Sequence, residues 1–203
     1  YFIGALNDQS LLAGVALGIM TISMLAITFM YGLNATIETF VSQSFGAQKF
    51  EQCGTVLNRG KIVLTLFLLP VYVLFLFMEP VFISLNQDAE VARIAGTYIR
   101  VCIPGLWAFS MSDATRRFMS AQLETKIPFY ASSSTLLFIA LVLAFIVQLD
   151  YKEVGAAMAN CMTFTLTFVL LELVCGTKES FRLTYQALPL DKPSDAWKGT
   201  SRL

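Results

Sequence analysis

The 203-residue chain is 56% hydrophobic and only 14% charged, against about 25% charged in an average soluble domain. Lys+Arg and Asp+Glu both total 14, so no net field favours nucleic acid or an acidic substrate. There is no His, and the four Cys residues have no CxxC spacing, which argues against a zinc site.

The opening stretch, YFIGALNDQS, has no basic n-region and does not read as a signal peptide. It reads as the tail of an earlier segment, so a fragment is expected. A bilayer core is about 30 Å thick and takes about 20 apolar helical residues. The first such run is 11–33, LLAGVALGIMTISMLAITFMYGL. The second is 62–85 and contains Pro70 and Glu79-Pro80. Asn86 or Asp88 is placed to cap a third span, 92–112, which carries Arg100 and Pro104-Gly105. The fourth, 127–149, is uncharged, and the fifth, 154–176, holds one acid, Glu172. The runs are continuous and not alternating, which favours helices over barrel strands. The predicted domain is therefore one membrane bundle over residues 1–176, followed by a polar tail or linker over 177–203.

The basic residues predict an orientation. With the N-terminus outside, eleven fall on the inner side: Lys49, Arg59, Lys61, Arg116, Arg117, Lys126, Lys178, Arg182, Lys192, Lys198 and Arg202. Three fall outside: Arg93, Arg100 and Lys152. The C-terminus is then cytosolic. An odd number of spans also suggests an earlier helix ending near YFIG.

Glu38 is the first candidate site residue. Asn34, Glu38 and Ser42 are spaced i, i+4, i+8 and share one helical face, with Gln43 beside it. A polar stripe that continues an apolar span must face water or protein, because an ionised acid in lipid costs several kcal/mol. Two readings stand open: a hydrated vestibule for cations, or a structural acid paired with Arg59, Lys61 or Arg117. Glu172 is expected to pair with Lys178 or water, and Asp113 to pair locally with Arg116 or Arg117. Arg100 is expected to snorkel outward, the alternative being that it faces a cavity and meets anionic groups. Pro70 and Pro104 are candidates for helix kinks, and SSST at 132–135 for packing. Gly155 and Ala159 have the small-xxx-small spacing of close helix contacts. The cysteines read as small core hydrophobes. No nucleophile–base set, Walker lysine or Gly-rich fingerprint is present, so neither an enzyme nor an ATP-driven pump is indicated, and no cofactor or metal is called for.

The segment ETFVSQSFGAQKFEQCGTVLNRG (38–60) resembles a signature of the multidrug and toxic compound extrusion (MATE) transporters, especially eukaryotic ones. The likeness continues through Glu79-Pro80, LNQDAEVARIAGTYIRVCIPGLWAFSM (85–111), RFMSAQ (117–122) with Pro128, and GAAMAN (155–160). The resemblance implies an all-α fold of twelve membrane helices in two lobes. This chain would be the first lobe: five complete helices plus the end of an earlier one. It also implies exchange of organic cations or metabolites for H⁺ or Na⁺, a small-molecule substrate, a bilayer, a second lobe as partner, and no nucleic acid. Glu38, Gln43 and Gly46 match the motif of helix two, and Arg117 and Gln122 match the motif after helix four. Asn34 and Ser42 join Glu38 and Gln43 as substrate or cation pathway residues, and Pro104, Asp113, Arg117, Gln122 and Glu172 take structural or gating roles. Ser120 stands where the family often has Gln, and 127–149 lacks the acid that some prokaryotic relatives carry. A lipid-linked precursor flippase of similar architecture and a non-transporting receptor or scaffold are the alternatives.

Overall fold

The computed structural model describes residues 9–124, 129 and 152–177, and every described element is helical. Helix α1 is Gln9–Gly46, α2 is Phe50–Leu76, α3 is Met78–Ser84, α4 is Ala89–Ala121 and α5 is Lys152–Thr177. Four of the described helices are long and apolar enough to cross a membrane: α1, α2, α4 and α5. Apart from Phe129, the span expected at 127–149 lies outside the described residues, as do SSST and the tail after 177.

The helices overrun the apolar runs that announce them. The run 11–33 becomes a 38-residue helix. At 1.5 Å per residue this is nearly twice the ~30 Å hydrocarbon core, so its polar end at 34–46 projects beyond that core. The third span grows to 89–121, and the fifth matches to within two residues at each end. The second span needs correction. Its helix starts at Phe50, and the expected run to 85 is broken at Phe77, between α2 and α3. Pro80 supplies the cause: it has no N–H for the Leu76 carbonyl, and its ring collides with that carbonyl. Pro70 and Pro104, by contrast, lie inside continuous helices. The other irregularity is in α1, where Ser23–Ile27 forms a π-helical turn. There the Ser23 carbonyl accepts both the Thr28 N–H and the Thr28 hydroxyl, the latter at 2.9 Å.

Asp88 is the cap of α4, accepting from the Glu90 N–H at 2.9 Å and more loosely from Val91. Asn86, the other candidate, instead takes a left-handed φ of 58° just past α3, which Asn tolerates better than most residues.

Helix α4 is the hub. Of its most apolar window 61% is buried, against 17% for α2. It runs beside α1 on one side and α5 on the other. Near the N-terminus of α1, the α1–α4 seam is closed by small residues. A Cβ on Gly14 would lie 2.6 Å from an Ile94 methyl, so only glycine allows this approach. On the α5 side Gly105 plays the same part. A Cβ there would stand 2.8 Å from the Cys161 Cα, so Pro104-Gly105 marks a close helix contact and not a break. Gly155 and Ala159 are buried, as the small-residue spacing predicts.

The core falls into two clusters. One joins Leu11, Val15, Phe75, Phe82, Ile94 and Tyr98, and the other joins Ile37, Val41, Leu57, Met111, Phe118 and Leu171. Leu66, Leu69 and Val73 on α2 and Val169 and Leu173 on α5 face outward, as apolar side chains on a lipid-bathed surface do.

Candidate functional site

Two groups of paired charges lie at the end of the bundle where α1 emerges. Asp113 on α4 is almost fully buried, and its Oδ2 is a double acceptor. The Asn34 amide of α1 donates to it at 2.9 Å, and Arg117 Nε, one helical turn away, also donates at 2.9 Å. Arg117 Nη1 then reaches Glu38 Oε2 at 2.9 Å, and its guanidinium lies 5.7 Å from the Tyr31 ring centre. One guanidinium thus joins two carboxylates on two helices. Bonds of this charge-assisted kind are the strong ones, and here they fix the rotation of α1 against α4.

A second junction lies alongside. Lys61 on α2 pairs with Glu172 on α5 at 2.5 Å, and Thr115 on α4 donates to the same carboxylate oxygen at 2.7 Å. Three helices meet at one acid. At the opposite end Arg100 pairs with Glu79 of α3 at 2.5 Å.

These contacts settle several sequence expectations. Glu38 pairs with Arg117, one of its three candidate partners, and its side chain keeps 43% exposure. The shared stripe does not hold as a wetted face along its length. Asn34 is fully buried between helices, Glu38 is half-buried, and only Ser42 and Gln43 are exposed. The reason is that α4 covers the α1 face at Asn34 and the face leaves the bundle one to two turns later. Ser42 donates to the Thr39 carbonyl at 2.9 Å. The local pair of Asp113 forms with Arg117, while Arg116 Nε is buried with no partner among the described residues. Glu172 meets Lys61, a partner not expected for it, and the expected partner Lys178 lies outside the described residues. Arg100 finds an acid and does not merely snorkel. Gln122 caps α4 and donates to the Phe118 carbonyl at 3.3 Å. Pro104 is inside α4, away from the charged junctions.

Sequence reasoning missed Asn34 as the partner of Asp113, the Lys61–Glu172–Thr115 junction, and a cavity. That cavity, about 170 Å³, opens between the π turn of α1, α4 and α5. Ser23, Tyr98, Cys102, Asn160 and Cys161 supply the polar atoms of its otherwise apolar wall. Asn160 donates to the Tyr98 hydroxyl at 3.1 Å. No local signal marks it, since its walls come from three separate segments.

The assembly of α1, α2 and α5 around a central α4, with its paired charges, can be compared with known proteins. A family model described as MatE matches residues 1–146. The chain belongs to the MatE family. Among its MatE relatives, Protein DETOXIFICATION 3 of Arabidopsis thaliana is 31% identical over 166 residues, covering 81% of this chain and 35% of the relative. Protein DETOXIFICATION 36 of the same plant is 32% identical over 135 residues, covering 66% and 27%. Multidrug and toxin extrusion protein 2 of Mus musculus is 34% identical over 121 residues, covering 60% and 21%. The chain thus spans about a third or less of the length of these relatives. The crystal structure of the eukaryotic MATE transporter AtDTX14 superposes with a TM-score of 0.84 at 24% identity, covering 93% of this chain and 42% of that one. An inward-facing multidrug resistance MATE family transporter gives 0.77 at 18% identity, covering 88% and 42%. The MatE chain therefore has the fold of one lobe of a MATE transporter.

Proposed function

We propose that this chain forms the first lobe of a secondary antiporter that exports organic cations or metabolites in exchange for H⁺ or Na⁺. The lobe rocks against a second one so that a cleft opens to each side in turn. The family membership supports the class of activity, and one observation carries the local reading. Glu38 is held by Arg117 yet remains 43% exposed at the end of the spans, so it can attract a cation while staying fixed in place. Orientation by the basic residues puts this end at the cytosol, where an exporter collects its cargo.

The test is export of a fluorescent organic cation from cells expressing the protein. Glu38→Gln keeps the shape and removes the charge, and export should fall several-fold at equal surface expression. Unchanged export with lowered expression assigns Glu38 a purely structural role. Substrate-dependent proton or sodium flux in reconstituted vesicles identifies the coupling ion, and its absence sinks the antiport reading.

A further inference from the structure

The cavity wall carries two nucleophilic side chains that the proposed transport cycle does not use. Cys102 on α4 and Cys161 on α5 are far apart in sequence, yet both line this one cavity, and the Cys161 thiol donates to the carbonyl of Val101, the residue next to Cys102, at 3.1 Å. Both are reduced and both line the cavity. The contact is built into the helix seam. A Cβ at Gly105, one turn from Cys102, would lie 2.6 Å from the Cys161 sulfur, so glycine lets α5 bring that sulfur in. The Tyr98 hydroxyl, one turn before Cys102 on α4, accepts from Asn160 and lines the same cavity. Cys53 and Cys175 are buried elsewhere, in the other core cluster.

We propose that Cys102 and Cys161 form a dithiol site for a soft, thiophilic divalent cation of the Hg(II) type, entered through this cavity. The donor set selects the ion. Among the described residues no carboxylate lines the cavity, which disfavours hard cations that need oxygen ligands. Zinc needs four ligands or three and a water, and no group of three His, Cys, Asp or Glu side chains comes together among the described residues. A soft d¹⁰ ion such as Hg(II) is satisfied by two sulfurs in line. Each thiol loses one proton to solvent and each sulfur forms one bond to the ion, with no change of oxidation state. The product, S–Hg–S, is neutral. That matters in an apolar wall, where a monovalent ion would leave the dithiolate with a net negative charge and a desolvation penalty. The Tyr98 hydroxyl lines the same cavity and supplies an O–H that can donate to a coordinated sulfur, as outer hydrogen bonds do at metal sites. An ion bound there would rivet α4 to α5.

The site does not depend on the transport reading and is tested without it. The purified protein is given one equivalent of Hg²⁺ in the presence of excess glutathione. The wild type should keep one ion per chain and lose two maleimide-reactive thiols, both mapped to Cys102 and Cys161. Cys102→Ser and Cys161→Ser should each retain the ion at least ~100-fold less well, the usual loss when a two-point attachment becomes one-point. X-ray absorption of the loaded wild type should show a two-sulfur shell, a reading that needs no variant to fold. Retention unchanged in either single variant, a one-sulfur shell, or mapping to Cys53 or Cys175 would overturn the proposal.

Discussion

The two ends of the α1–α4 seam are held by different physics. Near Gln9 the helices touch through missing side chains: Gly14 lies against Ile94, and Gly18 lies 3.0 Å from Tyr98 when a Cβ is added. Near Gly46 they touch through charge, with Asn34, Asp113, Arg117 and Glu38 bonded in series. Shape complementarity is short-ranged and all-or-none, because a packed interface loses its contacts within an ångström. A chain of charge-assisted bonds is strong but acts over a longer range, and at its half-exposed Glu38 end water can take a partner's place. The glycine end therefore suits a fixed pivot and the charged end suits a part that moves.

Substitutions can break this contrast. Arg117→Ala should have the largest effect. It leaves the nearly buried Asp113 and the half-buried Glu38 facing each other without a cation, and should cost about 3 kcal/mol, towards the low end for a broken buried pair because Arg117 is partly exposed. Thermal unfolding in detergent measures it. Gly14→Val should cost about 2 kcal/mol by overpacking against Ile94. Here the contrast sharpens: added salt should change the Arg117 result, through screening of its exposed side, and leave the Gly14 result alone. Asn34→Ala removes one buried donor from Asp113 and should cost about 1 kcal/mol. In a double-mutant cycle with Asp113→Asn its effect should be non-additive, whereas with Gly14→Val it should add. Glu38→Gln should be mildest in stability, about 0.5 kcal/mol, since its side chain is 43% exposed. Its export defect, measured on the same variant, should be the larger change.

Much of this architecture was legible because apolar runs report helices directly. The fifth span and the Asp88 cap follow from single segments whose residues act on their own neighbours. The break at Phe77 was legible in principle, because Pro80 sits four residues after Leu76, but a run of apolar residues on both sides hid it. The long extensions of α1 and α4 carry polar residues that a hydropathy pattern discounts, although helix formation does not require them to be apolar. The site was half legible. The Asp113–Arg117 pair is an i, i+4 neighbour relation, readable from spacing. Which cation Glu38 or Glu172 meets depends on how α1, α2, α4 and α5 rotate about their axes. Glycine contacts such as Gly105 with Cys161 set that rotation, and one sequence does not reveal it. The approach of Cys102 to Cys161 was illegible for the same reason.

The wide turn at Ser23–Ile27 bears on all of this. A π turn takes up one surplus residue, which an ordinary α-helix would have to accommodate by turning everything downstream through about 100°. Excising one residue from within 23–27 should iron the turn flat and leave Asn34 and Glu38 still aimed at Asp113 and Arg117. Excising one from the stretch between Thr28 and Leu33 should swing both away. The register of the whole polar end is thus stored in a five-residue slack loop of helix, and α1 has one place along that stretch where its length can be edited without re-aiming the side chains nearer Gly46.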